Sequence, residues 1–359
     1  MNGVITARDG TTVDATIDAV RSQLAAGDFF WLDLDGVDDE VAGLLRDAFG
    51  FHPLAVEDAE HFGQRPKMED YDGFTYLVVY GADSEVNAPI EVHAFYSEKH
   101  VVTVHRGKCN PLDGCRTRLA RHRTDELSPP QVGVLYLVVD QLVDSFFPVL
   151  TRFDDRIDEI EDDILKLPTE SQLGELFDMK RTLVSLRKVV TPQRDMFATL
   201  LSGVGGLEGM TPEDERYFRD LYDHLIRISD LVDSYRDLLT GAMDTHLSTV
   251  SNRLNVVMKQ LTIIATIFLP MSFLTGFFGQ NFGWMVNRLG TSSIFLWLGV
   301  GLQVLTVLIL VVYFRRRGWL TADGTVPTIK RAQRPAIPSA LRWHVLHPAP
   351  AEQSAGEAG

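Results

Sequence analysis

Two apolar stretches near the C-terminus decide the fold of this chain: LTIIATIFLPMSFLTGFF at Leu261–Phe278 and IFLWLGVGLQVLTVLILVVYF at Ile294–Phe314. A helix needs about 20 mostly apolar residues to cross the hydrocarbon core of a bilayer, and each stretch is close to that length. The connection between them begins with Gly279-Gln280-Asn281-Phe282. We therefore expect two membrane spans joined by a polar connection, and hence a multi-pass membrane protein.

Basic residues flank the two stretches on their outer ends, at Arg253, Lys259, Arg315, Arg316 and Arg317. The connection between the stretches carries only Arg288. Because an excess of Lys and Arg marks the cytoplasmic side of a membrane, both termini are expected in the cytoplasm, and the membrane would be the plasma (inner) membrane. Residues Met1–Gly36 are mixed and polar, so we expect no cleavable signal peptide.

Composition limits the partners of the region before the membrane. The chain has 359 residues and a formal net charge of -15. Roughly 250 of these residues precede the membrane, which is enough for one or two packed soluble units. A nucleic-acid partner is not expected, because phosphate binding needs clustered Lys and Arg. Cations are the expected partners. Cys109 and Cys115 lack nearby paired histidines, so we interpret them as ordinary residues rather than a zinc site.

Residues 1–125 mix two kinds of hydrophobic pattern, which predicts an α/β cytoplasmic domain. Strand-like runs occur at Phe29–Leu32, Phe74–Tyr80, Glu91–Tyr96 and Val101–His105, the last two forming a predicted hairpin. Helical spacing occurs at Asp38–Phe49, Pro53–His61 and Asn110–His122.

Residues 126–210 are predicted to form antiparallel acidic helices. Apolar residues recur every three or four positions from Phe146 until Leu167-Pro168 ends the run, and Thr169 or Ser171 caps a second helix that ends near Leu201. The segment Asp154–Asp163 is rich in acids. That face either concentrates cations near the cytoplasmic mouth or is simply solvated.

Residues 211–280 are predicted to form one long stalk helix that continues into the first span, at about 261–278. Thr211-Pro212-Glu213-Asp214 is a strong helix start, and the next proline is Pro270. The expected helix therefore runs from about Pro212 to about Phe278. Residues 281–293 would form an extracellular loop, 294–314 the second span, and 315–359 a basic cytoplasmic end with a flexible tail.

Two spans cannot enclose a water-filled path, so a conducting protein of this kind must be a ring of subunits. One face of the predicted first span is small or polar, at Asn255, Met258, Thr262, Ala265, Leu269, Ser272, Gly276 and Gly279. Such a face is either a packing seam between helices or a pore lining. The amide of Asn281 lies just beyond it and suits a hydrated divalent ion such as Mg²⁺, which sheds water reluctantly.

Several segments occur in an order that is specific to one family. They are Phe51-His52-Pro53-Leu54 with Glu57-Asp58, Gln64-Arg65-Pro66-Lys67, Tyr217–His224, Met258–Pro270, Gly279-x-Asn281-Phe282, and a basic run closed by Trp319-Leu320. From about residue 28 to residue 320 the chain therefore resembles the CorA family of divalent-cation transport proteins.

The resemblance implies a homopentameric funnel with a long α-helical stalk, two transmembrane helices per subunit and no enzymatic activity. Position by position, it implies a selectivity filter at Gly279, Gln280 and Asn281, and a pore lined by Asn255, Met258, Leu261, Leu269 and Ser272. It also implies regulatory Mg²⁺ between subunits, at Glu57 and Asp58 on one side and Asp220 on the other, with Asp144 as a further partner. The alternative for these acids is an ordinary solvated surface. Mg²⁺ would be both cargo and regulator, with Co²⁺ or Ni²⁺ as surrogates and no organic cofactor.

Two departures from the family pattern leave alternatives open. Gln280 stands where the family signature Gly-Met-Asn has Met, and the zinc-transporting ZntB branch also varies that position. The segment Gly283–Arg288 has no acidic residue, which weakens cation attraction at the mouth. A ZntB-like zinc transporter and a non-conducting metal sensor are therefore the competing functions. A membrane-anchored enzyme is disfavoured, since the chain has no nucleophile elbow, GxxxxGK[ST] or HExxH motif.

Overall fold

The computed structural model describes residues 1–121, 129–203, 206–280, 283, 287–288 and 291–320. The predicted filter residue Asn281 and the predicted tail 321–359 lie outside these residues. The chain divides into two compact units, Met1–Val250 and Ser251–Gly359. The boundary predicted after residue 210 lies inside the first unit, and the boundary predicted after residue 125 lies outside the described residues.

The described part of the first unit contains a seven-stranded sheet with the order β2-β1-β3-β7-β6-β5-β4. The strands are β1 (Gly3–Ala7), β2 (Thr12–Asp14), β3 (Phe30–Asp35), β4 (Lys67–Tyr71), β5 (Phe74–Asp83), β6 (Ala88–Tyr96) and β7 (His100–His105). Strands β3 and β7 pair in parallel, and the other neighbours pair antiparallel. The α/β fold class and the β6–β7 hairpin are confirmed.

The polar strands of this sheet, β2 and β4, were not predicted from the sequence. Strand β4 reads KMEDY and none of its residues is buried, while β2 is exposed throughout. Neither strand has the alternation of apolar residues that marks a strand in a sequence. Both lie at sheet edges, where pairing with one neighbour holds them in place.

The helices that begin in the first unit are α1 (Ile17–Ala26), α2 (Asp39–Asp47), α3 (Pro53–Glu60), α4 (Asn110–Arg121), α5 (Pro130–Asp144), α6 (Phe146–Lys166), α7 (Glu170–Leu201) and α8 (Pro212–Phe278). Apart from α1 and α5, they lie close to their predicted positions. Helix α1 was not predicted. It is capped by Thr16 and ends at Gly27 in the left-handed conformation, φ 76°.

Local capping explains where α7 and α8 begin. Thr169 and Gln172 form a capping box at the start of α7. At the start of α8 the Asp214 carboxylate accepts from the Thr211 backbone N–H at 2.8 Å, and the Thr211 hydroxyl accepts from the Asp214 N–H at 3.3 Å. The 67-residue helix that follows confirms the predicted stalk, which contains Pro270 without interruption.

Helices α6 and α7 pack against each other as the predicted acidic hairpin. The apolar stripe predicted for α6 is buried, whereas none of its acidic residues is. Arg156 pairs with Glu175 across the turn, with Nε to Oε1 at 2.5 Å. This contact joins the two helices across the connection Leu167–Thr169, so the chain folds back on itself there.

A buried polar network crosses the sheet at β3 and β7. Trp31 Nε1 donates to Thr103 Oγ1 at 2.9 Å, and Thr103 Oγ1 donates to Asp33 Oδ1 at 2.6 Å. His105 and Arg116 both contact the other oxygen of Asp33. Burial alone would raise the pKa of Asp33, but these partners outweigh burial and hold the pKa below its ordinary value.

The second unit contains the end of α8, followed by α9 (Ser292–Ile294), a π-helical segment (Phe295–Gly301) and α10 (Leu302–Arg316). Among the described residues three helical segments are long and apolar enough to cross a membrane: Pro130–Lys166, Pro212–Phe278 and Leu296–Arg316. The most apolar window of Pro130–Lys166 is 61% buried, but those of the other two are 0% buried. The two unburied segments are the spans predicted from the sequence.

Candidate ion pathway and regulatory cation site

The predicted selectivity filter begins at the last turn of α8. The Gly279 N–H donates to the Thr275 carbonyl at 2.9 Å, and the Gln280 N–H donates to the Phe277 carbonyl at 3.3 Å. Gly279 and Gln280 are exposed in this single chain. A Cβ on Gly279 would lie 3.0 Å from the Thr275 carbonyl oxygen, so the close turn favours glycine there.

All predicted pore-lining residues of α8 are exposed: Asn255, Met258, Leu261, Leu269 and Ser272. The partly buried residues of the same span are Ile263, Thr266, Ile267, Pro270, Met271, Leu274 and Phe278. At about 100° per residue, the two sets lie on roughly opposite sides of the helix. The predicted lining therefore lies on the side of α8 that the chain itself leaves open.

The predicted regulatory acids Glu57 and Asp58 lie on α3, which begins at Pro53 with His52 as its cap. They line a surface pocket of about 530 Å³ together with Lys67 and Glu69. Lys67 Nζ lies 2.6 Å from Asp58 Oδ2 and 2.9 Å from Glu69 Oε1. Partial burial lowers the pKa of Lys67, but hydrogen bonds to these two carboxylates outweigh it and raise the pKa above its ordinary value. Asp58 therefore already has a cation beside it within the chain.

Lys67 is the first residue of β4, and the loop that leads into this strand is held by Glu91 of β6. The Glu91 carboxylate accepts from the backbone N–H groups of Gly63 at 2.6 Å and Gln64 at 2.9 Å. It also contacts the buried His93, with Nε2 to Oε1 at 3.0 Å. Partial burial would raise the pKa of Glu91, but these partners lower it overall, so the carboxylate stays charged and the loop stays anchored.

The other two predicted regulatory acids, Asp144 of α5 and Asp220 of α8, lie on either side of His224. His224 Nδ1 is 3.6 Å from Asp144 Oδ1, and His224 Nε2 is 3.8 Å from Asp220 Oδ2. Asp140, one turn before Asp144, completes a group of possible metal ligands, because one ligand atom from each of Asp140, Asp144 and His224 lies within 4.8 Å of the others. The structure thus brings Asp144 and Asp220 together, and places Glu57 and Asp58 in a separate pocket.

The electrostatics of this group fit a divalent cation. Burial, and then the neighbouring charge of Asp140, raise the pKa of Asp144 to about 6. The Asp144 side chain remains 46% exposed, so solvent screening limits this effect. Burial also raises the pKa of Asp140, although Arg118 pairs with it at 3.2 Å. A bound cation would relieve the repulsion. The carboxylates of Asp140 and Asp144 suit Mg²⁺, whereas the imidazole of His224 suits transition metals such as Co²⁺, Ni²⁺ and Zn²⁺.

Asp140 and His224 were missed as candidate ligands in the sequence analysis. Each lies four residues from a predicted ligand on the same helix, Asp140 before Asp144 and His224 after Asp220. Side chains four apart on a helix are neighbours, so this spacing was a usable signal. Cys109 and Cys115 are free and buried, and burial raises the pKa of each thiol to about 12, in keeping with their interpretation as ordinary residues.

Comparisons with known proteins identify the family of this chain. The family model described as CorA-like Mg2+ transporter protein matches residues 26–316. The YfjQ protein of Bacillus subtilis is 36% identical over 293 residues, which cover 81% of this chain and 90% of that protein. The cobalt/magnesium transport protein CorA of Thermotoga maritima is 34% identical over 302 residues, covering 81% and 83% respectively.

The solved structure of the CorA magnesium transporter from Methanocaldococcus jannaschii has the same fold. It matches with a TM-score of 0.71 and 23% identity, covering 89% of this chain and 99% of that one. The chain therefore belongs to the CorA-like Mg2+ transporter family, whose members are membrane transport proteins rather than enzymes.

Proposed function

We propose that this protein mediates the uptake of a divalent cation through a pore on the axis of a homo-oligomeric ring in the plasma membrane. The observation that carries the proposal is that both apolar segments at the C-terminus are unburied within the chain. A lipid bilayer would cover part of this surface and partner copies the rest. We expect a homopentamer, with both termini in the cytoplasm.

Mg²⁺ is the proposed cargo, with Co²⁺ and Ni²⁺ as surrogates. Residues 251–320 contain no His, Cys, Asp or Glu. The pathway would therefore offer the ion only amide, hydroxyl and backbone oxygens, which suit a hydrated Mg²⁺ better than a stripped Zn²⁺. The names of the Thermotoga and Methanocaldococcus relatives support the same choice.

The membrane potential would drive the ion inwards, because it contributes about 2.3 kcal/mol per charge per 100 mV. The proposed path passes a ring of Asn281 side chains and then the open side of α8, lined by Asn255, Met258, Leu261, Leu269 and Ser272. Met258 and Leu261 would form an apolar constriction, since their side chains are 62% and 61% exposed on that side.

Cation flux into liposomes containing the full-length protein tests this proposal. Mg²⁺, Co²⁺ and Zn²⁺ influx is measured for the wild type, for Asn281→Ala and for Asn287→Ala, which is the same change elsewhere in the connection. We expect Mg²⁺ and Co²⁺ influx to be lost in Asn281→Ala only. Influx of Zn²⁺ alone would favour the zinc transporter suggested by Gln280. Absence of influx for every ion would make the protein a non-conducting metal sensor.

We further propose that cytoplasmic Mg²⁺ closes the pore by bridging acids of neighbouring subunits. Asp144, Asp220 and His224 offer donor atoms on one surface, and Glu57 and Asp58 offer them on another. Loss of the ion would leave like charges facing each other and favour the open state. Lys67 competes in this scheme, because its ammonium already pairs with the Asp58 carboxylate at 2.6 Å.

Mg²⁺-dependent protection of the first unit from protease tests the gating proposal. The full-length protein in detergent is digested over a series of Mg²⁺ concentrations. We expect protection to be lost in the Asp58→Ala/Asp220→Ala double variant and retained in Asp237→Ala, an exposed acid on the same helix as Asp220. Lys67→Met should give protection at lower Mg²⁺ than the wild type. Unchanged protection in the double variant would refute the proposal.

A further inference from the structure

A polar contact joins the two spans within one chain. Gln303 Nε2 of α10 donates to Thr275 Oγ1 of α8 at 2.9 Å. The same Thr275 hydroxyl donates to the Met271 carbonyl of its own helix at 2.9 Å. The hydroxyls of Thr262, Thr266 and Thr306 also bond a carbonyl one turn earlier, but among the described residues no bond from these three to the other span is found.

Thr275 occupies the last turn before the predicted filter. Its carbonyl accepts the N–H of Gly279 at 2.9 Å, directly after α8 ends at Phe278. Each step of four residues turns a helix by about 40°. Thr275 therefore lies between Met271, on the partly buried side of α8, and Gly279, towards the predicted lining. A bond at this position restrains rotation of the helix end about its axis.

Gln303 lies within the apolar second span. It follows the π-helical segment Phe295–Gly301, and its neighbours Leu302 and Val304 are apolar. In the hydrocarbon region there is no water to satisfy an amide, so a glutamine there depends on a partner in the protein. Segments of π-helix inside α-helices also occur frequently at functional sites.

We infer that Gln303 is a positioning residue for ion selection: its amide fixes the rotation of the last turn of α8, and so the placement of the filter that begins at Gly279. The inference rests on the proposed transport function. Gln303 lies on the second span, far in sequence from the filter, and acts through Thr275. Without the bond the end of α8 turns more freely, and the filter discriminates less well between ions of different hydration.

The ratio of Mg²⁺ to Co²⁺ influx in liposomes tests selection directly. The variants are Gln303→Leu, Thr275→Val and the two combined, with Thr266→Val and Thr306→Val as matched controls. Each test variant should change the ratio roughly three- to tenfold, the range that one hydrogen bond between membrane helices supplies. The double variant should change it no more than either single variant does. Ratios equal to those of the controls, or single effects that add, would overturn the inference.

Cysteine labelling tests the positioning without depending on transport. Gln280→Cys is reacted with a membrane-impermeant maleimide, and background is low because Cys109 and Cys115 are buried with a thiol pKa of about 12. Adding Gln303→Leu should change the labelling rate roughly three- to tenfold, while adding Thr306→Val should not. Equal rates in the two backgrounds would overturn the inference. A changed rate in a protein that conducts no ion would keep the positioning role and refute the transport proposal instead.

Discussion

Two of the three described helical segments with the composition of a membrane span, Pro130–Lys166 and Leu296–Arg316, differ in that the chain buries only the first. The most apolar window of Pro130–Lys166 has a mean hydropathy of 1.5 and is 61% buried, whereas that of Leu296–Arg316 has a mean hydropathy of 2.3 and is 0% buried. Length and hydropathy put both in the same class. An apolar helix therefore becomes part of a soluble core when the same chain supplies an apolar surface that packs against it.

The sheet supplies that surface for α5. Ser145, at the end of α5, accepts from the Ala82 N–H of β5 at 2.7 Å. A Cβ on Gly81 would lie 2.7 Å from Ser145 Oγ and 2.9 Å from the Leu142 carbonyl, so the glycine permits this close approach. The acidic residues Asp140 and Asp144 also require water or ionic partners on one side of α5. Residues 261–278 contain no acid or base. Among the described residues of their unit, the second span is the one other long helix that could cover them.

The largest effect is expected from placing an acid in each region. Val138→Asp puts a carboxylate at a fully buried position and should destabilise the first unit by more than about 4 kcal/mol. Ile309→Asp, at a position that is 57% exposed, should cost about 2.5 to 3.5 kcal/mol of membrane insertion instead. Protease resistance of the first unit and carbonate extraction from membranes separate the two results. A loss of resistance in Ile309→Asp as large as in Val138→Asp would contradict the comparison.

Cavity formation should give the next largest difference. Phe146→Ala removes a fully buried ring from α6 and should lower the free energy of unfolding of the first unit by about 3 to 5 kcal/mol. Phe273→Ala removes a ring that is 68% exposed, and should change the same quantity by less than about 0.5 kcal/mol. Urea denaturation of the full chain in detergent measures both. Similar losses in the two variants would show that the units are not energetically distinct.

The glutamines of the two regions permit a matched substitution. Gln193 of α7 is fully buried, accepts from the Tyr80 N–H at 2.6 Å and donates to the Tyr80 carbonyl at 3.1 Å. The pairing of β4 with β5 extends only as far as Val78. At Tyr80 of β5 the side chain of Gln193 therefore makes the hydrogen bonds that a neighbouring strand would otherwise make. Gln193→Leu leaves both backbone groups unpaired and should cost about 2 to 3 kcal/mol. Hydrogen exchange at Tyr80 should accelerate in Gln193→Leu and stay unchanged in Gln303→Leu.

The smallest effect is a pH dependence confined to the first unit. Burial lowers the pKa of His105, but Asp33 outweighs it, so the pKa lies above the ordinary 6.5. The pKa of Asp33 lies below the ordinary 3.8. Because the pKa of His105 is raised in the folded state, its protonated form stabilises the fold fully below pH 6.5. This stabilisation is lost as the pH rises through the pKa of His105 in the folded state. A lowered aspartate pKa stabilises it above 3.8 and loses that effect at lower pH.

Stability from this pair should therefore be greatest between pH 3.8 and 6.5 and should fall as the pH rises above that window. His105→Gln should remove the decline above pH 6.5, as followed by thermal unfolding. Residues 251–320 have no acid or histidine, so the spans should show no corresponding change. A decline that persists in His105→Gln would assign it to another group.

Local sequence pattern was enough to predict several elements of this protein. The two apolar helices, the start of α8 at Pro212 and the buried stripe of α6 follow from apolar spacing and capping residues, and the structure contains them. That the two apolar helices cross a membrane stays a prediction. The order of family motifs determined the family in the same way. The predicted roles of Asn281 and of the pore-lining residues remain predictions.

Which polar groups of different elements meet follows from tertiary packing. Packing pairs Lys67 with Asp58, places His224 beside Asp144, and joins Gln303 to Thr275. In the sequence, Lys67 lies 9 residues from Asp58, His224 lies 80 residues from Asp144, and Gln303 lies 28 residues from Thr275. Hydrophobic periodicity reports the environment of one helix or strand at a time, but a polar contact depends on how two elements are rotated against each other. The sequence therefore specifies these elements, and packing determines which of their polar groups can act together.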